Sequence, residues 1–134
     1  MISTIQQLKT ISSTLAFTVI CGVNLFAQIT ENWTSIYNGS GDYSDKINCM
    51  TKDATNNLYL SGYTVTNGNN RDYLLIKIDP AGDTLWTRTY KGPDSGADEI
   101  TAIVIDPSGN IIVTGFQKGD GTGNDILTLK YNPS

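Results

Sequence analysis

Three pairs of aspartates pose the first chemical question of this chain: Asp45 and Asp98, Asp53 and Asp106, Asp72 and Asp125. Two carboxylates held close together can share the acid and base roles of glycoside cleavage. Each of these pairs, however, is separated by the same 53 residues. An aspartate that returns at one phase of a repeat is expected to be a turn residue whose carboxylate accepts backbone N–H groups. Trp33 and Trp86, and Tyr37 and Tyr90, share that offset. Their rings could serve as stacking platforms for sugars, but a fixed repeat phase predicts packing between repeat units.

The stretch Gly119-Asp120-Gly121-Thr122-Gly123-Asn124-Asp125-Ile126-Leu127 offers the closely spaced oxygens that a hard cation takes. It resembles one unit of the calcium-binding Gly-Asp nonapeptide family. Such units bind calcium between stacked turns. Only one copy is present here, and the aligned loop Thr66 to Asp72 lacks the pattern. A loop ending in the repeated Asp125 is therefore expected, with no calcium held by Asp120 and Asp125. An EF-hand fails as well: no Gly follows Asn124 and no Glu closes the loop.

The chain contains no histidine. That removes the usual general base and the commonest metal ligand, and with them Ser-His-Asp and Cys-His catalysis within the chain. Gly39-Ser40-Gly41 has no following helix or lysine and is no phosphate loop. Cys49 aligns with Ala102, which predicts a small buried residue rather than a reactive thiol. No catalytic, cofactor-binding or metal-binding residue is assigned on these grounds, and no cofactor is expected.

The elements that must position these residues follow from the repeat itself. Gly39 returns as Gly92, Ile47 as Ile100, Asn57 as Asn110, Gly62 as Gly115, Leu74 as Leu127, Lys77 as Lys130 and Pro80 as Pro133, all without a gap. A constant period of this size means one supersecondary unit per copy. The 134 residues carry 13 acidic and 9 basic side chains, with Glu only at Glu31 and Glu99. Abundant Thr, Ile, Tyr, Asn, Asp and Gly favour strands and turns. The acidic balance argues against a nucleic-acid partner.

Strands are predicted over Ile47–Asp53, Leu58–Thr64, Tyr73–Asp79 and Thr84–Tyr90, then over Ile100–Asp106, Ile111–Gln117 and Ile126–Tyr131. Asp106-Pro107-Ser108-Gly109-Asn110 is a turn with a mechanism: Pro presets φ, Gly permits positive φ, and the Asp and Asn side chains bond nearby backbone. Thr30–Tyr37, which carries Trp33, reads as a further strand with no unit of its own.

Before it, Leu15 to Phe26 is an apolar run of about a dozen residues, within the range of about 7–15 for a signal peptide. It is too short for a membrane span, which needs about 20. Residues 1–27 are expected to be an export signal cut after Ala27, with Gln28 as the mature N-terminus. Removal of Cys21 would leave Cys49 without a disulfide partner. Ile20 before Cys21 is too large for a lipoprotein signal.

Four short antiparallel strands per period is the requirement of a propeller blade. The run Ile103-Val104-Ile105-Asp106-Pro107-Ser108-Gly109-Asn110-Ile111-Ile112-Val113-Thr114-Gly115, followed by Asp125 and Leu129-Lys130-Tyr131, resembles the bacterial seven-bladed β-propeller repeat, SBBP. The first copy matches through Asp53, Asn57-Leu58-Tyr59-Leu60-Ser61-Gly62, Asp72-Tyr73, Lys77, Asp79, Trp86 and Tyr90, with Asn56 where Gly is usual. The resemblance covers Trp33 to Ser134. It implies secreted or surface-exposed proteins, often multidomain, and no single reaction.

The fold expected is thus all-β, a partial β-propeller of two four-stranded repeats. Residues 28–46 hold the lone Trp33 strand and a linker, 47–99 the first blade, and 100–134 a second blade lacking its last strand. Seven such units need far more chain, so the sequence reads as a piece of a longer secreted or cell-surface protein. The expected role is a non-enzymatic binding or scaffold module for a protein or polysaccharide ligand. It would be completed by missing blades or by self-association through open edge strands, with no membrane span in the mature chain. The alternative is part of a propeller hydrolase or dehydrogenase whose active site comes from the missing blades.

Overall fold

A computed structural model of the protein describes residues 30–68, 70–93, 96–121 and 123–133. The expected signal peptide, with Cys21, lies outside the described residues. The chain divides into two units, 1–31 and 32–134, and every strand among the described residues lies in the second.

Among the described residues, seven strands form two antiparallel sheets. The first is β1 (Lys46–Lys52), β2 (Leu58–Asn67), β3 (Asn70–Ile78) and β4 (Thr84–Tyr90), in the order β1-β2-β3-β4. The second is β5 (Glu99–Ile105), β6 (Ile111–Lys118) and β7 (Asn124–Tyr131), in the order β5-β6-β7. No helix occurs among the described residues, so none there is long and apolar enough to cross a membrane. The all-β prediction holds for the described residues, and each of the seven strands expected in the two sheets is present, with β2, β3 and β7 reaching further into the connecting loops than expected.

The repeat is visible in backbone detail. Three tight turns share one bonding pattern. Asp53, Asp79 and Asp106 each donate N–H to the carbonyl four residues on and accept the N–H three residues on. The third position of each turn has positive φ: Asn56 at 65°, Gly82 at 96° and Gly109 at 82°. Asn tolerates this region better than other residues with a side chain, so Asn56 can stand where the second copy has Gly109.

A register shift falls between Ile47 and Cys49, and again between Ile100 and Ala102, 53 residues later. Opposite each bulge is a glycine. A β-carbon on Gly62 would run into the carbonyl of Lys46, and one on Gly115 into that of Glu99. A bulge brings one backbone onto the next strand, and only glycine leaves room there.

The sheets pack face to face. Tyr59, Tyr73 and Leu75 of the first bury against Ile100, Ile111 and Val113 of the second, each at most 2% exposed. Cys49, Trp86 and Tyr90 from one side and Leu127, Leu129 and Tyr131 from the other complete this core. Cys49 is half-buried, with its Sγ 3.0 Å from Ser61 Oγ. The opposite face of the first sheet carries a second cluster, Leu74, Ile76 and Ile78, packed with Leu58, Leu60 and Tyr37.

One expectation needs correcting. Thr30–Tyr37 was predicted as a strand, but none of the seven strands includes it. From Trp33 onward the segment crosses a sheet face rather than running along an edge. The Trp33 indole lies on Gly82, where a β-carbon would stand 2.8 Å from Cγ, and Tyr37 covers the Leu74 cluster. Trp86 and Tyr90 of β4 likewise pack on a sheet face, but β4 also has β3 beside it; no described strand runs beside Thr30–Tyr37, and without that pairing the segment is extended but not a strand.

Candidate functional site

The aspartates that could have formed a catalytic dyad are engaged with the chain's own backbone. Asp53 Oδ1 accepts N–H from Thr55 and Asn57 at 2.9 Å each, and its Oδ2 accepts the Asn57 amide at 2.8 Å. Asp106 does the same with Ser108 and Asn110. Burial alone would raise the Asp53 carboxyl, but the hydrogen bonds from Asn57 and Thr55 outweigh it and hold the group well below the carboxylate range. Asp106 is held low by the Asn110 amide and then by Lys130, whose ammonium lies 2.9 Å away. Lys77, the counterpart of Lys130, stands 3.9 Å from Asp53. The recurring lysines thus tie the first turn of each sheet to its third strand.

Asp98 is 1% exposed and latches the connector between the sheets. Its Oδ2 accepts Gly92 N–H at 2.7 Å, its Oδ1 accepts Lys118 N–H at 2.9 Å, and its own N–H donates to the Arg71 carbonyl at 2.8 Å. Asp45 repeats the first of these bonds with Gly39 at 2.9 Å. The third pair departs from the expected turn role. Asp72 and Asp125 lie inside β3 and β7, not in turns. Asp72 is buried and accepts the Thr66 hydroxyl at 2.9 Å, whereas Asp125 is exposed and pairs in register with Gln117. Strand lengthening by a few residues swallowed both positions.

In the Gly119 loop, Gly119 donates to the Gly123 carbonyl at 3.0 Å, and the strand β7 begins at Asn124. Thr122 falls outside the described residues. Among those described, no three Asp, Glu or Cys side chains gather at metal-binding spacing. Trp86 and Tyr90 pack between the sheets: the Tyr59 and Trp86 rings meet edge-on at 5.9 Å, and Tyr73 and Tyr90 at 6.0 Å.

With most of the recurring polar residues consumed in this way, the residues that do not recur stand out. Tyr43, Ser44, Tyr63 and Arg71 have Gly96, Ala97, Phe116 and Asn124 at the same phase of the second copy. All four line one open cleft of about 570 Å³, at the end of the molecule where β2 turns into β3 and the connector enters β5. Val65, Gly68 and Ala97 complete the wall.

Tyr43 is 51% exposed, while Tyr63 is buried to its rim. Arg71 lies over the Tyr63 ring at 4.5 Å and meets Glu99 Oε2 at 3.1 Å. Asn48 bonds the other Glu99 oxygen and the Ile100 carbonyl, each at 2.8 Å. The guanidinium is thereby fixed in orientation, with N–H donors to spare and its charge offset by Glu99. Sequence reasoning passed over these residues. The signal that finds them is a subtraction: residues that break the repeat and fall on one loop end.

No protein-family model matches the chain, and no curated protein matches it.

Proposed function

We propose that this chain is an exported, non-enzymatic binding module built from β-propeller blades, and that it takes an uncharged polysaccharide in the cleft of Tyr43, Tyr63 and Arg71. The propeller reading rests on the 53-residue repeat, the matched bulges and turns, and two same-phase sheets stacked through one core. Export rests on the sequence of residues 1–27.

The observation that carries the binding role is the gathering of non-recurring polar and aromatic residues at one cleft. An exposed tyrosine ring offers an apolar face and a hydroxyl, which suits the two faces of a sugar ring. Ser44 and the oriented Arg71 supply hydrogen bonds at the rim. Glu99 cancels the Arg71 charge and the chain is net acidic, at −4, so a hydroxyl-rich neutral ligand fits better than an acidic one.

Titration of the protein with a panel of neutral oligosaccharides, followed by the ring resonances of Tyr43 and Tyr63, tests this. Binding with shifts confined to the cleft is expected, weakened about tenfold or more by Tyr43→Ala. Shifts appearing with acidic glycans only would overturn the ligand class. Binding that leaves the cleft resonances unmoved would overturn the site.

A further inference from the structure

Asparagine stands directly before glycine at Asn38-Gly39 and again at Asn67-Gly68. In such a pair the side-chain Cγ of the asparagine can reach the nitrogen of the next residue, and glycine has no β-carbon to obstruct the approach. The fold treats the two pairs in opposite ways. At the first, both reacting groups are held. Asn38 Nδ2 donates to Asp42 Oδ1 at 2.6 Å, and Gly39 N–H donates to Asp45 Oδ2 at 2.9 Å. Gly39 is buried, and a β-carbon on it would stand 2.5 Å from Thr64 Oγ1.

The second pair lies where β2 turns into β3, and both of its residues are exposed. Among the described residues, neither the Asn67 side chain nor the Gly68 N–H has a hydrogen-bond partner. Gly68 has φ 61°, and nothing lies within 4 Å of the place its β-carbon would take. Asn67 pairs with Asn70 beyond a register irregularity that separates this pair from Val65 and Arg71. The end of the hairpin can therefore open without disturbing the ladder below it, and such local openings cost little.

We propose that Asn67 is a site of spontaneous self-modification, converting to aspartate and isoaspartate in the folded protein, while Asn38 is protected. The Gly68 nitrogen gives up its proton and bonds to Asn67 Cγ. The side-chain nitrogen leaves as ammonia, and a succinimide ring remains. Water then opens the ring at one of its two carbonyls. Breaking the bond between nitrogen and Cγ gives aspartate. Breaking the bond between nitrogen and the main-chain carbonyl gives isoaspartate, with the backbone now running through the side chain. The net change is one water consumed and one ammonia released, with no oxidant or reductant.

The position gives the modification a consequence. Gly68 lines the cleft together with Tyr63, Val65 and Arg71. Conversion sets a new carboxylate on the residue before Gly68, and the isoaspartate form lengthens the main chain of the cleft wall by one methylene group. The inference rests on the hairpin end alone and is independent of what the cleft binds.

The test incubates the folded full chain in warm, mildly alkaline buffer and follows its peptides by mass spectrometry, with isoaspartate methyltransferase labelling to mark the isoaspartate form. The peptide holding Asn67 should gain the mass of OH in place of NH2 and take the label. Conversion at Asn38 requires giving up two hydrogen bonds to carboxylates, so it should run roughly tenfold or more slower than at Asn67. In concentrated urea the two sites should convert at similar rates, because the protection at Asn38 comes from the fold. On isoelectric focusing, the acidic species that accumulates with time should be lost in Asn67→Gln. Equal conversion of the two sites in the folded chain would overturn the inference. So would conversion at Asn38 ahead of Asn67, an unchanged preference in urea, or an acidic species that persists in Asn67→Gln.

Discussion

A single added methyl group at Gly115 would meet the Glu99 carbonyl, and the same is true of Gly62 and Lys46. Neither obstacle is a flexible side chain; each is the backbone of the bulged neighbour strand. Gly115→Ala or Gly62→Ala is therefore expected to cost roughly 3 kcal/mol or more, at the upper end of single substitutions. Gly109→Ala should cost less, about 1–2 kcal/mol, because it forces an L-residue into positive φ and meets a side chain, Pro133 Cβ at 3.3 Å, rather than the backbone of a neighbouring strand. Urea midpoints of the three variants would give that ranking. At this scale much was legible. Asp and Asn four apart, with Gly between, spell the turn at Asp106, and the structure puts the bonds there. Asp72 and Asp125 were not legible, because their role depends on how far β3 and β7 extend, and strand ends are set by tertiary packing rather than by the local pattern.

Titration belongs to the same scale. Asp53 and Asp106 have carboxyls lowered in the fold by the turn hydrogen bonds. A lowered group lends stability that is fully present above the unfolded carboxyl value of about 4 and is lost as pH falls below it. The protein should thus weaken between about pH 4 and the acid limit. Asp53→Asn with Asp106→Asn should flatten that part of the profile while lowering stability at neutral pH. An unchanged slope in the double variant, measured by chemical denaturation, would show that other carboxylates carry the acid sensitivity.

Between the elements, burial outweighs bonding. Tyr73 is fully buried, its hydroxyl donating 3.3 Å across the interface to the Leu127 carbonyl. Burial, with the Asp98 carboxylate adding to it, pushes the phenol up to about 12, so it remains a donor through the working range. Yet the Leu127 carbonyl also accepts the Thr114 hydroxyl. Tyr73→Phe should cost only about 1 kcal/mol. Leu75→Ala, which empties the same interface, should cost about 2–5 kcal/mol. Equal losses would mean that the sheets are held by polar contacts instead. The strands themselves were readable from alternation and turn spacing. Trp33–Tyr37 misled, because its sequence is that of a paired strand while its place in this chain is over a sheet face. A pattern reports which face a strand buries; it does not report whether an edge is there to receive it.

For the whole molecule, the repeat predicted two similar units, and the structure adds how they meet: same phase, face to face, around Tyr73 and Ile111. The cleft at one end was hidden in the sequence because Tyr43 and Arg71 are 28 residues apart and carry no motif. They become a group only when β2, β3 and the connector converge. The proposed export makes one further prediction at this scale, that secreted material would begin at Gln28; a start at Met1 or Ile2 on N-terminal sequencing would refute it.

The central claim is that the two sheets stack as consecutive units through one shared core. Proton–proton contacts measured by nuclear Overhauser spectroscopy on the folded chain test it most directly. The account predicts cross-peaks from the Tyr73 ring to Leu127 and Ile100, and from the Trp86 indole to Ile111 and Tyr131. Cross-peaks confined within each sheet, with none joining residues 46–90 to residues 99–131, would contradict it.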